Sequence, residues 1–198
     1  MMVNDMATPS RRVYVTIPLQ SKAMAERTMK ACTDVHYERN IGAAACVLFR
    51  EWTDSEAVEE IVKVVRGVAP YESGRFYRRE LPCLLEVLHD VVGELEVVIV
   101  DGHVWLGKDE SPGLGAYLYQ ALDERVPVIG VAKRVFRQDA PAVQVWRGSS
   151  KQALYVSSAG METSVAAECV RSMHGPFRIP TLLKRVDTLC RQAWRDEL

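Results

Sequence analysis

The run Val97-Val98-Ile99-Val100 constrains this chain more than any other stretch of it. Four consecutive apolar, mostly β-branched residues leave a strand no polar face, so both faces must be covered. Covering both requires layers above and below the sheet, which points to an α/β architecture. The run then stops at Asp101-Gly102-His103. Asp-Gly is a good turn dipeptide, and that alone accounts for a carboxylate there. A chemical reason also exists, because ligands of α/β sheets gather beyond the carboxyl ends of the strands.

The remaining pattern extends this reading. Strands are expected at 12–19, at "CTDVHYER" and at "GAAACVLFREW", the last two joined by an "NIG" turn. Residues 21–31 read as a helix. The segment 55–68 carries both a β-branched run and a helix-like Ser-x-x-Glu start, and stays open between the two. "APYESG" (69–74) reads as a loop, and 78–95 has apolar residues at helical spacing. After the strand ending at Asp101 come a glycine-rich loop (102–113), a helix over 113–126 and a strand over 127–133. Short strands are expected near 142–147 and 153–157, and helices over 161–173 and 180–196. Alternating strands and helices give a mixed sheet with helices on both faces. The chain reads as one domain over 1–198, with 1–11 a flexible N-terminal segment.

Composition excludes several classes. No stretch approaches the ~18 apolar residues that a membrane span needs, and the N-terminus lacks the basic-then-apolar pattern of a secretory leader. Five scattered cysteines without CxxC spacing argue against a disulfide framework or a zinc site, and for a reducing cytoplasm. The net charge of −1 does not suggest a uniformly basic nucleic-acid binder. An acidic metal site inside a basic rim gives the same sum, and basic clusters do occur at 75–80, 133–137 and 184–185. Each also reads as an ordinary solvated face.

Four charged residues mark element ends. Asp34 interrupts an apolar and aromatic strand, Asp101 ends the buried one, Glu80 opens a helix, and Lys133 ends a third apolar strand. Each has a plain alternative: an edge-strand acid facing water, a turn residue, an acid placed by the helix dipole, a solvated strand end. Taken together, clustered carboxylates suggest a magnesium site, since Mg²⁺ binds through a few carboxylates plus phosphate oxygens.

In order and spacing, "TDVHY", "APYESGRFYRRELPCLLEVL", "VVIVDG", "GLGAYLYQALDERVPVIGVAK", "ALYVSSAG" and "FRIPTLLKRVDTLC" resemble the endonuclease V family, over about residues 28–192. The resemblance implies a ribonuclease H-like α/β fold. It also implies hydrolysis of a phosphodiester bond 3′ to a deaminated base (inosine, hypoxanthine) in DNA or RNA, leaving 3′-hydroxyl and 5′-phosphate ends. Asp34, Glu80 and Asp101 match the family's acids for Mg²⁺ or Mn²⁺, and Lys133 its catalytic lysine. Pro70 and Tyr71 match a loop that wedges strands apart, where an aromatic face can replace a lost stacking partner; Tyr71 also reads as a surface aromatic. Gly74, Gly102, Gly113 and Gly115 would allow the main chain to approach a flipped base.

The chain departs from the family twice. A histidine of the family falls at Gly107, with no His-Pro-Arg stretch present, and another falls at Gly160. His103 is a candidate replacement; it also reads as a loop histidine without a role. Arg185 is left open between nucleic acid and an ion pair, while Asp187 reads as a partner of Lys184 and Arg191. An active nuclease is the first expectation. A nucleic-acid-binding module without cleavage, or a hydrolase of small phosphate esters, is the alternative. Oligomeric state is open, and no membrane partner is expected.

Overall fold

A computed structural model describes residues 28–70, 72 and 75–196. The expectations for 1–11, for a strand at 12–19, for helix residues 21–27, and for Tyr71 and Gly74 lie outside the described residues.

Seven strands form one mixed sheet. They are β1 (Met29–Glu38), β2 (Ile41–Phe49), β3 (Glu59–Arg66), β4 (Leu95–Asp101), β5 (Val128–Ala132), β6 (Val143–Val145) and β7 (Leu154–Ala159), in the order β3-β2-β1-β4-β5-β7-β6. β1, β4 and β5 run parallel side by side, and the flanking pairs are antiparallel. Helices α1 (Tyr77–Leu88) and α2 (Leu114–Ala121) cover one face; α3 (Thr163–Ser172) and α4 (Thr181–Asp196) cover the other. The expected mixed sheet with helices on both faces is therefore what forms.

Strand periodicity divides the interior into two cores. Ala31, Val98 and Val100 point toward Leu84 and Leu88 of α1. Cys32, Ile99, Ile129 and Val131 point toward Leu183, Val186 and Cys190 of α4. Val98 and Ile99 are both fully buried, which is the covering that their uninterrupted apolar run demanded.

Local expectations change where pairing overrides propensity. Met29–Ala31, read as the end of a helix, open β1, because β2 and β4 take up their backbone on either side. The β1–β2 turn is Arg39-Asn40, with Arg39 at a φ of 54°, and Ile41 and Gly42 already belong to β2. The open segment 55–68 yields a strand, paired with β2 from Ile41–Arg66 to Leu48–Glu59. As an edge strand, β3 carries Glu59, Glu60, Lys63 and Arg66, charges that discourage further pairing. The helix expected to 95 stops at Leu88, and that expected to 126 stops at Ala121, where Asp123 and Glu124 turn at positive φ.

Gly130 of β5 fixes the path of the chain beyond Asp101. A Cβ there would stand 2.6 Å from the Gly102 carbonyl oxygen and 2.9 Å from the Val104 nitrogen, so residues 102–104 lie directly on the strand. Gly102 N–H donates to the Val131 carbonyl (3.2 Å), and Val104 N–H to Ser157 Oγ (2.9 Å). Gly130→Ala should cost about 1–3 kcal/mol in urea unfolding, since only backbone can yield. Gly93→Ala, with nothing within 4 Å of the added atom, should stay within about 0.5 kcal/mol.

Candidate active site

The parallel register assembles the site. Thr33 of β1 pairs with Val100 of β4, so Asp34, within β1 rather than at its end, and Asp101, the last residue of β4, come next side by side where the pairing of the two strands stops. Both share the parity of Cys32 and Ile99, and so face the α4 layer. Asp101 pairs with Val131 of β5, and Lys133 lies two residues further with the same parity. Its ammonium reaches back to Asp101 Oδ2 at 2.6 Å. Glu80 enters from the opposite layer, in the first turn of α1, and its side chain is buried. Asp34, Asp101 and Lys133 line a cleft whose far wall is Ile179, Leu183, Val186 and Asp187.

Burial and mutual repulsion dominate the electrostatics. Asp34 is pushed up to about 6, first by burial and then by the charge of Asp101, against a hydrogen bond from Val35 N–H (2.9 Å). Glu80 rises well above the usual carboxylate range, by burial and then by the charges of Asp34 and Asp101, with Arg79 partly offsetting them. For Lys133, burial favours the neutral amine, but the hydrogen bond and charge of Asp101 outweigh it and the pKa rises. The lysine is a cation at any physiological pH.

The three acids meet at one edge without closing on a common point. Among the described residues no three His, Cys, Asp or Glu side chains are grouped so that they could hold a metal ion. Lys133 engages Asp101, and Asp34 is held by Val35 N–H and approached by the Cys190 thiol at 3.6 Å. The chemistry of the donors nonetheless fits a hard divalent cation. All three are carboxylates, and burial first and neighbouring negative charge second raise the pKa of Asp34 and Glu80, a conflict that a cation relieves.

Other expected residues take different places. His103 is buried, and its Nε2 donates to the Arg134 carbonyl at 2.9 Å. Gly113 approaches the His103 carbonyl, 2.4 Å from where its own Cβ would be. Gly102 meets only Leu114 at ordinary distance, and Pro70 is exposed. Gly160 has a φ of 76°, and a Cβ there would run into the Tyr119 ring at 2.7 Å, so a histidine has no room.

The basic clusters are largely neutralised within the fold. Arg75 and Arg78 pair with Glu72. Arg79 stacks on Tyr37 at 3.7 Å and donates to the Arg39 carbonyl. Arg185, left open in sequence, is a bidentate partner of Glu60, with both contacts at 2.7 Å. Asp187 bonds Lys184 and Arg191 at 2.9 Å each, as its spacing indicated. Sequence reasoning missed Cys190 and Arg178 as neighbours of the site. Their only signal was a position on, or just before, the helix that begins at Thr181.

Comparison with known proteins agrees with this architecture. Residues 12–175 match the family model described as Endonuclease V. The chain belongs to the endonuclease V family. Members of that family are nucleases, hydrolases of the phosphodiester bond. Endonuclease V of Streptomyces coelicolor is 29% identical over 185 residues, covering 82% of this chain and 78% of that protein. Endonuclease V of Ignicoccus hospitalis is 32% identical over 101 residues, 51% of this chain; the match spans 46% of that protein's length. The structure of Ciona intestinalis endonuclease V, in complex with a 24mer DNA containing an inosine followed by a ribo-adenosine, has a TM-score of 0.70 at 18% identity. It covers 86% of this chain and 87% of that one. At that identity the likeness establishes a shared ribonuclease H-like fold.

The raised carboxylate pKa values carry a stability consequence with a definite sign. A carboxyl whose folded pKa exceeds its unfolded value binds more protons when folded, so stability falls as pH rises through that interval. For Asp34 the interval runs from 3.8 to about 6. With EDTA present at pH 8, Asp34→Asn and Glu80→Gln should each raise the melting temperature by roughly 3–8 °C. Near pH 4 the gain should vanish, and differential scanning calorimetry at the two pH values reads both.

Proposed function

We propose that this protein is a metal-dependent endonuclease that cuts DNA or RNA 3′ to deaminated bases, inosine above all, leaving 3′-hydroxyl and 5′-phosphate ends. One observation supports the reading: Asp34, Glu80 and Asp101 come to one sheet edge beside the ammonium of Lys133, at an electrostatic cost that a bound cation would relieve. Family membership supports the nuclease chemistry, and the inosine in the Ciona complex supports the choice of base. The five free cysteines support a reducing, cytoplasmic setting, and a role in repair of deaminated nucleic acid accords with the substrate.

Asp34, Glu80 and Asp101 are the residues that would hold Mg²⁺ or Mn²⁺. When bound, such an ion supplies Lewis acidity for phosphodiester hydrolysis. Lys133 offers a fixed positive charge at the cleft wall, where it offsets negative charge developing on the phosphate. The Asp101 carboxylate orients that ammonium through the 2.6 Å hydrogen bond. Asp34 and Glu80 must both be deprotonated to act as ligands, and their raised pKa values make activity sensitive to acid. Pro70 and Tyr71 would enter the strand as a wedge, and Gly102, with no side chain, would leave the space over its Cα open to an extruded base.

A second reading has a specific observation in its favour. Tyr119 fills the place at Gly160 where family members carry an imidazole. A protein that binds inosine strands without cutting them is consistent with that loss.

Labelled inosine-containing and control oligonucleotides, incubated with Mg²⁺ and then with EDTA, decide between the two. The expected result is one metal-dependent incision, one nucleotide 3′ of inosine, absent from controls. Lys133→Ala should lower kcat by about 100-fold, and Asp101→Asn should abolish cleavage. The rate should fall as pH drops below neutral, as protons compete with the cation for Asp34 and Glu80. Salt-sensitive binding without product from mild acid to alkaline pH would leave only the binding module.

A further inference from the structure

We propose that His103 is a positioning residue, which latches the turn after Asp101 to the turn after Lys133 and so sets the geometry of the Asp101–Lys133 pair. The inference rests on the reading of Lys133 as the cation that faces the phosphate.

Two consecutive carbonyls beyond β5 are pinned from different directions. The Lys133 carbonyl accepts a hydrogen bond from the Arg178 guanidinium, which also donates to the Ala153 carbonyl (2.7 Å) and to Gln152 Oε1 (3.0 Å). The Arg134 carbonyl accepts from His103 Nε2 at 2.9 Å. A carbonyl only accepts, so Nε2 carries the proton of this bond. Nδ1 of the same ring is buried with no hydrogen-bond partner among the described residues. An unmatched ring nitrogen is a cost in the interior. The ring therefore contributes through Nε2, or through its volume alone, and an experiment can separate the two.

The anchoring end of the latch is rigid. His103 lies two residues beyond Asp101, and its own carbonyl accepts from Gly115 N–H at 3.1 Å. The backbone on either side is held against Gly130 and by Ser157. The other end is not rigid by itself. Residues 133–139 are all exposed, and their path is set where their first two carbonyls are caught. Lys133 is half-exposed, with a long side chain that can take many rotamers in water. Fixing its backbone relative to Asp101 reduces the number that compete with the 2.6 Å contact. Phe136 lies edge-on to the imidazole, with ring centroids 6.5 Å apart, and covers the latch from solvent.

Three variants test this. His103→Phe keeps a ring and removes the donor. His103→Asn places an amide where Nδ1 stands, too short to reach the carbonyl. His103→Gln places an amide near the position of Nε2. Amide hydrogen exchange over 133–137 should quicken in the Phe and Asn variants and return toward wild type in Gln. On inosine oligonucleotides the Phe and Asn variants should lose between about 10- and 100-fold in kcat with KM within about twofold, and Gln should recover most of the loss. In a Lys133→Ala background, His103→Phe should add no further loss, because the ring acts through the lysine. An equal loss in that background, unchanged exchange, or no recovery by Gln would overturn the proposal. If His103→Phe does not fold, the Asn and Gln pair gives the same comparison. If the wild-type protein does not cut inosine strands at all, the proposed function fails, while the exchange measurement still judges the latch on its own.

Discussion

The parallel alignment of β1, β4 and β5 is the constraint on which the rest depends. Parallel neighbours end at the same side of a sheet, so the residues just beyond each strand are delivered to one edge. With Thr33 opposite Val100 and Asp101 opposite Val131, the residues that come next are Asp34 on one strand and Lys133, two positions on, on another. A slip of one residue in either pairing would send a side chain to the α1 layer instead. The apolar interiors guard against that slip: Cys32, Ile99 and Val131 belong to one core, Ala31 and Val100 to the other, and every one-residue register error exchanges the two sets.

The same edge gathers a conflict. Asp34 and Glu80 sit where burial and neighbouring carboxylates oppose their ionisation, so the site weakens the fold at neutral pH. Stability comes from elsewhere. Leu84, Leu88, Leu95 and Val98 on one side, and Phe49, Ile99, Ile129 and Leu154 on the other, are wholly or almost wholly excluded from water. The Arg147 guanidinium, itself buried, donates to the carbonyls of Val170, Arg171 and Gly175 and so closes the C-terminal end of α3. Groups that oppose folding, within a scaffold that tolerates them, are what a functional site leads one to expect.

Most of this architecture was legible in sequence because it depends on short-range pattern. The β-branched run at 97–100 announced a covered strand, and Asp34, Asp101 and Lys133 announced themselves by interrupting or ending apolar strands. The illegible part depends on partners. Met29–Ala31 favour a helix alone and become a strand only because two neighbours flank them. The segment 55–68 was ambiguous until β2 offered it an edge. His103 and Arg134 are 31 residues apart, Arg178 and Lys133 are 45, and Cys190 and Asp34 are 156. No local period encodes contacts at such separations. Gly113 shows the reverse error: a glycine that suggested room for a ligand is filled by the chain's own His103 carbonyl.

The charge of the cleft bears on whether this chain cuts or only binds. A module that merely holds a phosphate backbone gains from basic side chains and loses from acidic ones. Here the cleft presents Asp34, Asp101 and Asp187 against Lys133 and Lys184. Lys184 is engaged by Asp187, and Lys133 by Asp101. Left to itself, such a surface repels a phosphate. On the proposed function a divalent cation would reverse the sign there and let the carboxylates contribute to binding as well as to hydrolysis. This charge pattern favours the proposed reading of the acids as ligands over that of a bare binding surface.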